Sequence, residues 1–129
     1  MRAVDTNVLV RYLTRDDPRQ SPRAKAVIEA DEVFVSATVL LETEWVLRSL
    51  YDFPPARIAE VLRELAGLPT IAFEDSSVAA QALEWFEGGL DFADALHLAK
   101  SAHCEAMITF DRTFIRGAAR LGGAAVRAP

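Results

Sequence analysis

Asp5, Glu42, Asp94 and Asp111 are the side chains of this sequence best suited to chemistry, and Asp91 stands one helical turn before Asp94. Carboxylates gathered together are costly unless a cation, a proton or a donor network balances them. Their oxygens suit Mg²⁺ or Mn²⁺, which take hard oxygen ligands. Two such ions, about 3.5–4 Å apart, would serve the attack of water on a phosphodiester, whose anionic oxygens repel the nucleophile and whose departing alkoxide needs stabilising. With one cysteine, Cys104, and two histidines, no spacing resembles a zinc site, and an internal disulfide is excluded.

Each acid also has an ordinary explanation. Asp5 ends a short apolar run, and Asp111 follows the run ending at Phe110, so each is a natural N-cap for the helix after it. Asp91 as N-cap and Asp94 in the first turn would both be favoured by the helix dipole. Glu42 is harder to dismiss. Its neighbours at helical spacing, Thr38, Val39, Trp45 and Val46, place it on a mostly apolar face, where a buried carboxylate needs a partner. Glu44 is the contrast, because Arg48 four residues on offers an ordinary surface ion pair. His97, between Leu96 and Leu98, reads as a packed histidine, and Cys104 as a small core residue. Trp45 and Trp85 read as core, or as apolar surface for an interface.

The elements that must position these residues alternate. A strand at Arg2 to Asp5 leads into a helix carrying Val8 to Leu13, and Asp16-Asp17-Pro18 ends it. A polar helix from about Ser21 to Ala30 is followed by a strand at Val33–Ser36 and a long helix from about Ala37 to Tyr51. Pro55 opens the next helix, Ala56 to Ala66. Pro69 to Phe73 reads as a strand, Ser77 to about Glu87 as a helix, and Gly88-Gly89 as its stop. Asp91 to His103 is helical by its apolar spacing. Ala106 to Phe110 is the clearest strand, and Gly122 to Arg127 offers a short last one. This alternation predicts a mainly parallel sheet of four to five strands with helices on both faces. Ligands then sit beyond the carboxyl ends of the strands, which would bring Asp5 and Asp111 to one edge.

At 129 residues and 51% hydrophobic content the chain has material for one core, so residues 1–129 read as a single domain. The net charge of −5, from 14 Lys and Arg against 19 Asp and Glu, argues against a broad basic surface that coats nucleic acid. Setting the four acids aside for cations brings the remainder close to neutral. No apolar stretch has the length of a signal peptide or of a membrane span, which makes the cytoplasm the expected location.

The segments Val4-Asp5-Thr6-Asn7-Val8-Leu9, Ser36 through Glu42 to Val46-Leu47, Asp91-Phe92-Ala93-Asp94-Ala95-Leu96-His97-Leu98-Ala99 and Thr109-Phe110-Asp111 occur in an order and spacing that resemble a PIN-domain ribonuclease, specifically a VapBC-type toxin. The resemblance implies a three-layer α/β/α sandwich and a Mg²⁺- or Mn²⁺-dependent endoribonuclease. It further implies a homodimer with a cognate antitoxin that blocks the site. By motif, Asp5, Glu42, Asp94 and Asp111 would be catalytic, Asp5 and Asp94 as direct metal ligands and Glu42 and Asp111 at a second ion or through water. Thr6, Asn7 and Thr109 match small polar positions that would orient carboxylates and water. Asp91 matches a recurrent acid. Arg11, Arg15, Arg112 and Arg116 follow the acids closely enough to hold RNA phosphates, to anchor a partner or to remain solvated.

Two other phosphate chemistries fit less well. A haloacid-dehalogenase-like aspartyl phosphate needs a second acid where Asn7 stands, and a receiver-like domain needs a late-strand lysine where Asp111 and Arg112 stand. A catalytically silent PIN-like module that binds RNA or protein remains the alternative.

Overall fold

In the computed structural model residues 1–122 and 125–129 are described, and the chain divides into two compact units, Met1–Ser76 and Ser77–Pro129. The first holds β1 (Arg2–Ala3), α1 (Thr6–Thr14), α2 (Gln20–Ala30), β2 (Val33–Val35), α3 (Ala37–Ser49), α4 (Pro55–Ala66) and β3 (Ile71–Phe73). Its sheet is parallel, in the order β1-β2-β3, with Arg2 opposite Val33 and Val35 opposite Phe73. Val33 and Val35 are fully buried because β2 is the central strand. Helix α1 packs on α2 and α3 through Leu9 and Val10. Arg15 takes a left-handed conformation (φ 53°) and stops α1, its N–H returning to the Arg11 carbonyl.

The second unit holds α5 (Ser76–Glu87, all but its first residue), α6 (Phe92–Lys100), β4 (Met107–Ile108), α7 (Arg112–Arg120) and β5 (Val126–Arg127). Phe86 and Phe92 meet edge to face with centroids 5.4 Å apart. Gly89, at φ +105°, makes the turn that delivers Asp91 to the start of α6, a conformation that residues with a Cβ rarely adopt. Among the described residues, no helix is long and apolar enough to cross a membrane.

Among the described residues the expected order of elements is observed, but the expected single sheet of four to five strands is not. There is a three-stranded parallel sheet in the first unit and a two-stranded parallel pair, β4 with β5, in the second. The Ala106–Phe110 segment, which reads as the clearest strand, is only two residues of strand. Ile108 and Phe110 are 50% and 88% exposed, so apolar character there does not report burial. The expected last strand at Gly122–Arg127 is present as Val126–Arg127, with Gly123 and Ala124 outside the described residues.

Candidate active site

The sequence places Asp5 just after β1, where its extended backbone lets a carboxylate oxygen accept the Thr6 N–H at 2.7 Å and cap α1. Thr6 is buried, and its hydroxyl donates to Oε1 of Glu42 on α3, so α1 and α3 tie a capping turn to a carboxylate. Asn7 is exposed beside them.

Glu42 does not lie on a buried apolar face, as its neighbours suggest; it is exposed, and so is Trp45 at 50%. The buried stripe of α3 is Leu40, Thr43, Glu44 and Leu47, spaced for one helical face. Glu44 is therefore the buried acid, at 1% exposure, paired with Arg48 at 2.9 Å. The expected pair exists, but it is not a surface pair. Thr43 can occupy this stripe because its hydroxyl bonds the Val39 carbonyl at 2.7 Å.

In the second unit, Asp91 caps α6 by accepting the Asp94 N–H at 3.1 Å. Asp94 is half-buried in the first turn. Burial, then repulsion from Asp91 and Asp111, raises its pKa above the ordinary 3.8, while His97 opposes the rise. Asp111 caps α7 through the Phe114 N–H at 3.1 Å, and its own N–H donates to the Thr109 hydroxyl at 3.0 Å. The second unit thus brings Asp91, Asp94 and Asp111 into one electrostatic neighbourhood. His97 and Cys104 are both exposed, contrary to their reading as packed residues: Leu96, Leu98 and Ala99 take the buried side of α6, and Cys104 lies in the turn beyond it.

The arginines divide by engagement. Arg11 is held within the first unit by Asp16 at 3.2 Å, the Tyr51 hydroxyl at 2.8 Å and Gln20 at 2.8 Å. Tyr51 and Thr14 hydroxyls donate to Asp16 and, with Arg11, lower its pKa. Arg15 ends α1 and is exposed, as are Arg112 and Arg116. Arg116 lines a cavity of about 370 Å³ together with Asp91, Asp94, Thr113 and Arg120. Sequence reading missed Arg120, although its four-residue spacing from Arg116 on a helix signals a shared face.

As the side chains stand, no group of three or more His, Cys, Asp or Glu among the described residues is arranged to hold a metal ion. The donor chemistry nonetheless suits a hard cation: the acids around Asp94 offer carboxylate oxygens, and a divalent ion would offset both the burial and the repulsion that raise its pKa.

The profile of the PIN domain family matches residues 2–120. No curated protein matches the sequence.

Proposed function

The chain belongs to the PIN domain family, a family of nucleases, and from that premise we propose that it is a metal-dependent endoribonuclease, the toxin of a type II toxin–antitoxin pair. In this reading residues 1–129 are one PIN domain, Asp5, Glu42, Asp94 and Asp111 are its catalytic acids, and RNA is the substrate. The observation that carries it is Asp94, a half-buried carboxylate with a raised pKa among other acids, a costly arrangement that a cation would stabilise. The four sequence segments that resemble VapBC-type toxins support the finer assignment, including a cognate antitoxin, a homodimer and a cytoplasmic setting. Trp45 and Leu50, 50% and 67% exposed, supply apolar surface for a protein partner.

The same four acids would hold Mg²⁺ or Mn²⁺. When bound, such an ion supplies a Lewis acid that makes water a nucleophile near neutral pH and offsets charge on the phosphoryl oxygens. The chain's own residues prepare for this. Thr6 restrains the Glu42 carboxylate, Asp91 fixes the first turn of α6 and with it the Asp94 backbone, and Thr109 holds the turn that presents Asp111. Thr6→Ala is expected to slow cleavage by about 10–100-fold, the usual cost of losing a group that orients a ligand, with Thr6→Ser restoring most of it. Initial rates on one RNA substrate would check this; equal rates for wild type and Thr6→Ala would remove Thr6 from the machinery.

The deciding experiment incubates the purified, partner-free protein with total cellular RNA in Mg²⁺, in Mn²⁺ and in EDTA. Discrete fragments that require the metal are the expected result. Intact RNA with folded protein would leave the second reading, a silent module that binds RNA or protein. The lack of a ready three-ligand cluster among the described residues is what favours that reading.

A further inference from the structure

Helix α1 carries Asp5 as its cap and Thr6 in its first turn, and the Thr6 hydroxyl on Glu42 ties that end to α3. A second tie closes the other end. The Tyr51 hydroxyl, two residues beyond α3, accepts from Nη1 of Arg11 at 2.8 Å and donates to Oδ2 of Asp16 at 2.7 Å. Nη1 of Arg11 also reaches Oδ1 of Asp16 at 3.2 Å, and its Nε donates to Gln20 on α2 at 2.8 Å. A lone ion pair as exposed as Arg11–Asp16 would contribute little. Here each of the three groups binds both of the others, and a closed network holds its geometry better than separate pairs do.

The backbone on each side of this contact is left-handed. Arg15, at φ 53°, precedes Asp16, and Asp52, at φ 54°, follows Tyr51; among the described residues these are the non-glycine positions with positive φ. Residues with a Cβ take that conformation at a steric cost and keep it where surrounding contacts over-determine it. The turns that deliver Asp16 and Tyr51 are therefore specified along with the contact between them.

The two ties come in the same order along both helices, Thr6 to Glu42 and then Arg11 and Asp16 to Tyr51, so α1 and α3 run alongside in one direction and are pinned at both ends. The helices also pack together, with Leu9 and Val10 buried on α1 and Leu40 and Leu47 on α3. Apolar packing is non-directional and by itself resists sliding weakly, whereas hydrogen bonds demand a distance and an angle.

We infer that Tyr51, Arg11 and Asp16 form a clasp that fixes the register of α1 on α3, and with it the placement of Asp5 relative to Glu42, the two candidate acids of the first unit. Tyr51 and Asp16 are thus positioning residues that act through α1. The catalytic consequence rests on the nuclease reading; the clasp itself stands without it.

The test is amide hydrogen exchange in the metal-free protein, followed by NMR. Tyr51→Phe removes only the hydroxyl and is expected to lower protection of the Thr6 and Val8 amides, at the far end of α1, by about tenfold, the weight of one hydrogen bond to a charged group. Asp16→Asn, which alters the same contact from its other side, should give the same pattern. Tyr12→Phe is the control, because it deletes a hydroxyl that joins α1 to Glu29 on α2 and not to α3, and it should leave Thr6 and Val8 unchanged. The buried Val61 and Leu62 amides of α4 should keep their protection in all three variants. Loss confined to Arg15 and Ser21 overturns the inference, since the contact would then serve only the corner between α1 and α2. Loss that extends equally to α4, or that Tyr12→Phe reproduces, overturns it too. In RNA cleavage, Tyr51→Phe is expected to lower kcat by about tenfold at unchanged KM, the signature of acids held slightly out of place. A variant that cuts like wild type overturns the positioning role, whereas a wild type that cuts no RNA refutes the nuclease reading alone, because exchange is read without metal or RNA.

Discussion

Asp94→Asn is expected to reduce metal-dependent RNA cleavage by about a thousandfold while the protein remains folded, the scale of removing one preorganised electrostatic group from a catalytic centre. The substitution preserves shape and keeps the Asp94 N–H that Asp91 caps, so the start of α6 stays in place. What it removes is charge. In the metal-free protein that charge is unfavourable, because burial and the neighbouring Asp91 and Asp111 raise the Asp94 pKa above 3.8. The folded chain therefore holds this proton more tightly than the unfolded chain. The stabilisation from the bound proton is complete below pH 3.8 and is lost as pH rises through the raised folded value. Urea denaturation in EDTA across the acidic range should show that decline in wild type and a flatter profile in Asp94→Asn. Rates on RNA give the catalytic half of the expectation, and a variant that cuts like wild type would exclude Asp94 from the chemistry.

Arg48→Ala is expected to cost about 2–4 kcal/mol of folding stability, because it leaves Glu44 buried with its ion-pair partner gone. The side chains are 2% and 46% exposed for Glu44 and Arg48, so the pair spans from interior to surface. Truncating Arg48 removes the cation that offsets the buried Glu44 charge, whereas the half-exposed guanidinium is already partly solvated. That asymmetry gives the comparison its force. Glu44→Gln keeps the shape and an acceptor for Arg48 but no longer buries a charge, and is expected to cost less than half as much. Chemical denaturation of the three proteins at neutral pH checks this ordering. Equal costs would mean that packing, and not charge burial, dominates at this position.

The local grammar of the chain was legible without any structure. Asp5, Asp91 and Asp111 were readable as N-caps, and each accepts a backbone N–H at the start of its helix. Pro55 opens α4, and Gly88-Gly89 closes α5, because proline lacks an N–H that the first turn does not need and glycine tolerates the positive φ that follows a helix. The helix read as Ala37 to Tyr51 begins where expected and stops two residues earlier, at Ser49. Capping and turn chemistry act over four or five neighbouring residues, so the sequence contains all of their participants.

Burial was legible only where the composition of a face was unambiguous. On α3, Val39, Trp45 and Val46 around Glu42 argued for a buried carboxylate, yet the packed stripe runs through Thr43 and Glu44. The choice was made by what α3 meets: α1 and α4 pack against it, and a buried threonine and glutamate are tolerated because Val39 and Arg48 supply their partners.

Strand pairing was equally hidden, since among the described residues Met107–Ile108 pairs with Val126–Arg127 and not with β1, β2 or β3. The sequence by itself determined the order of elements, their caps and the membership of the family, all of which depend on residue type and short spacing. The tertiary structure alone decided which acid is buried, which strands pair and which arginines are left without a carboxylate, because each is settled by groups distant in sequence competing for the same neighbours.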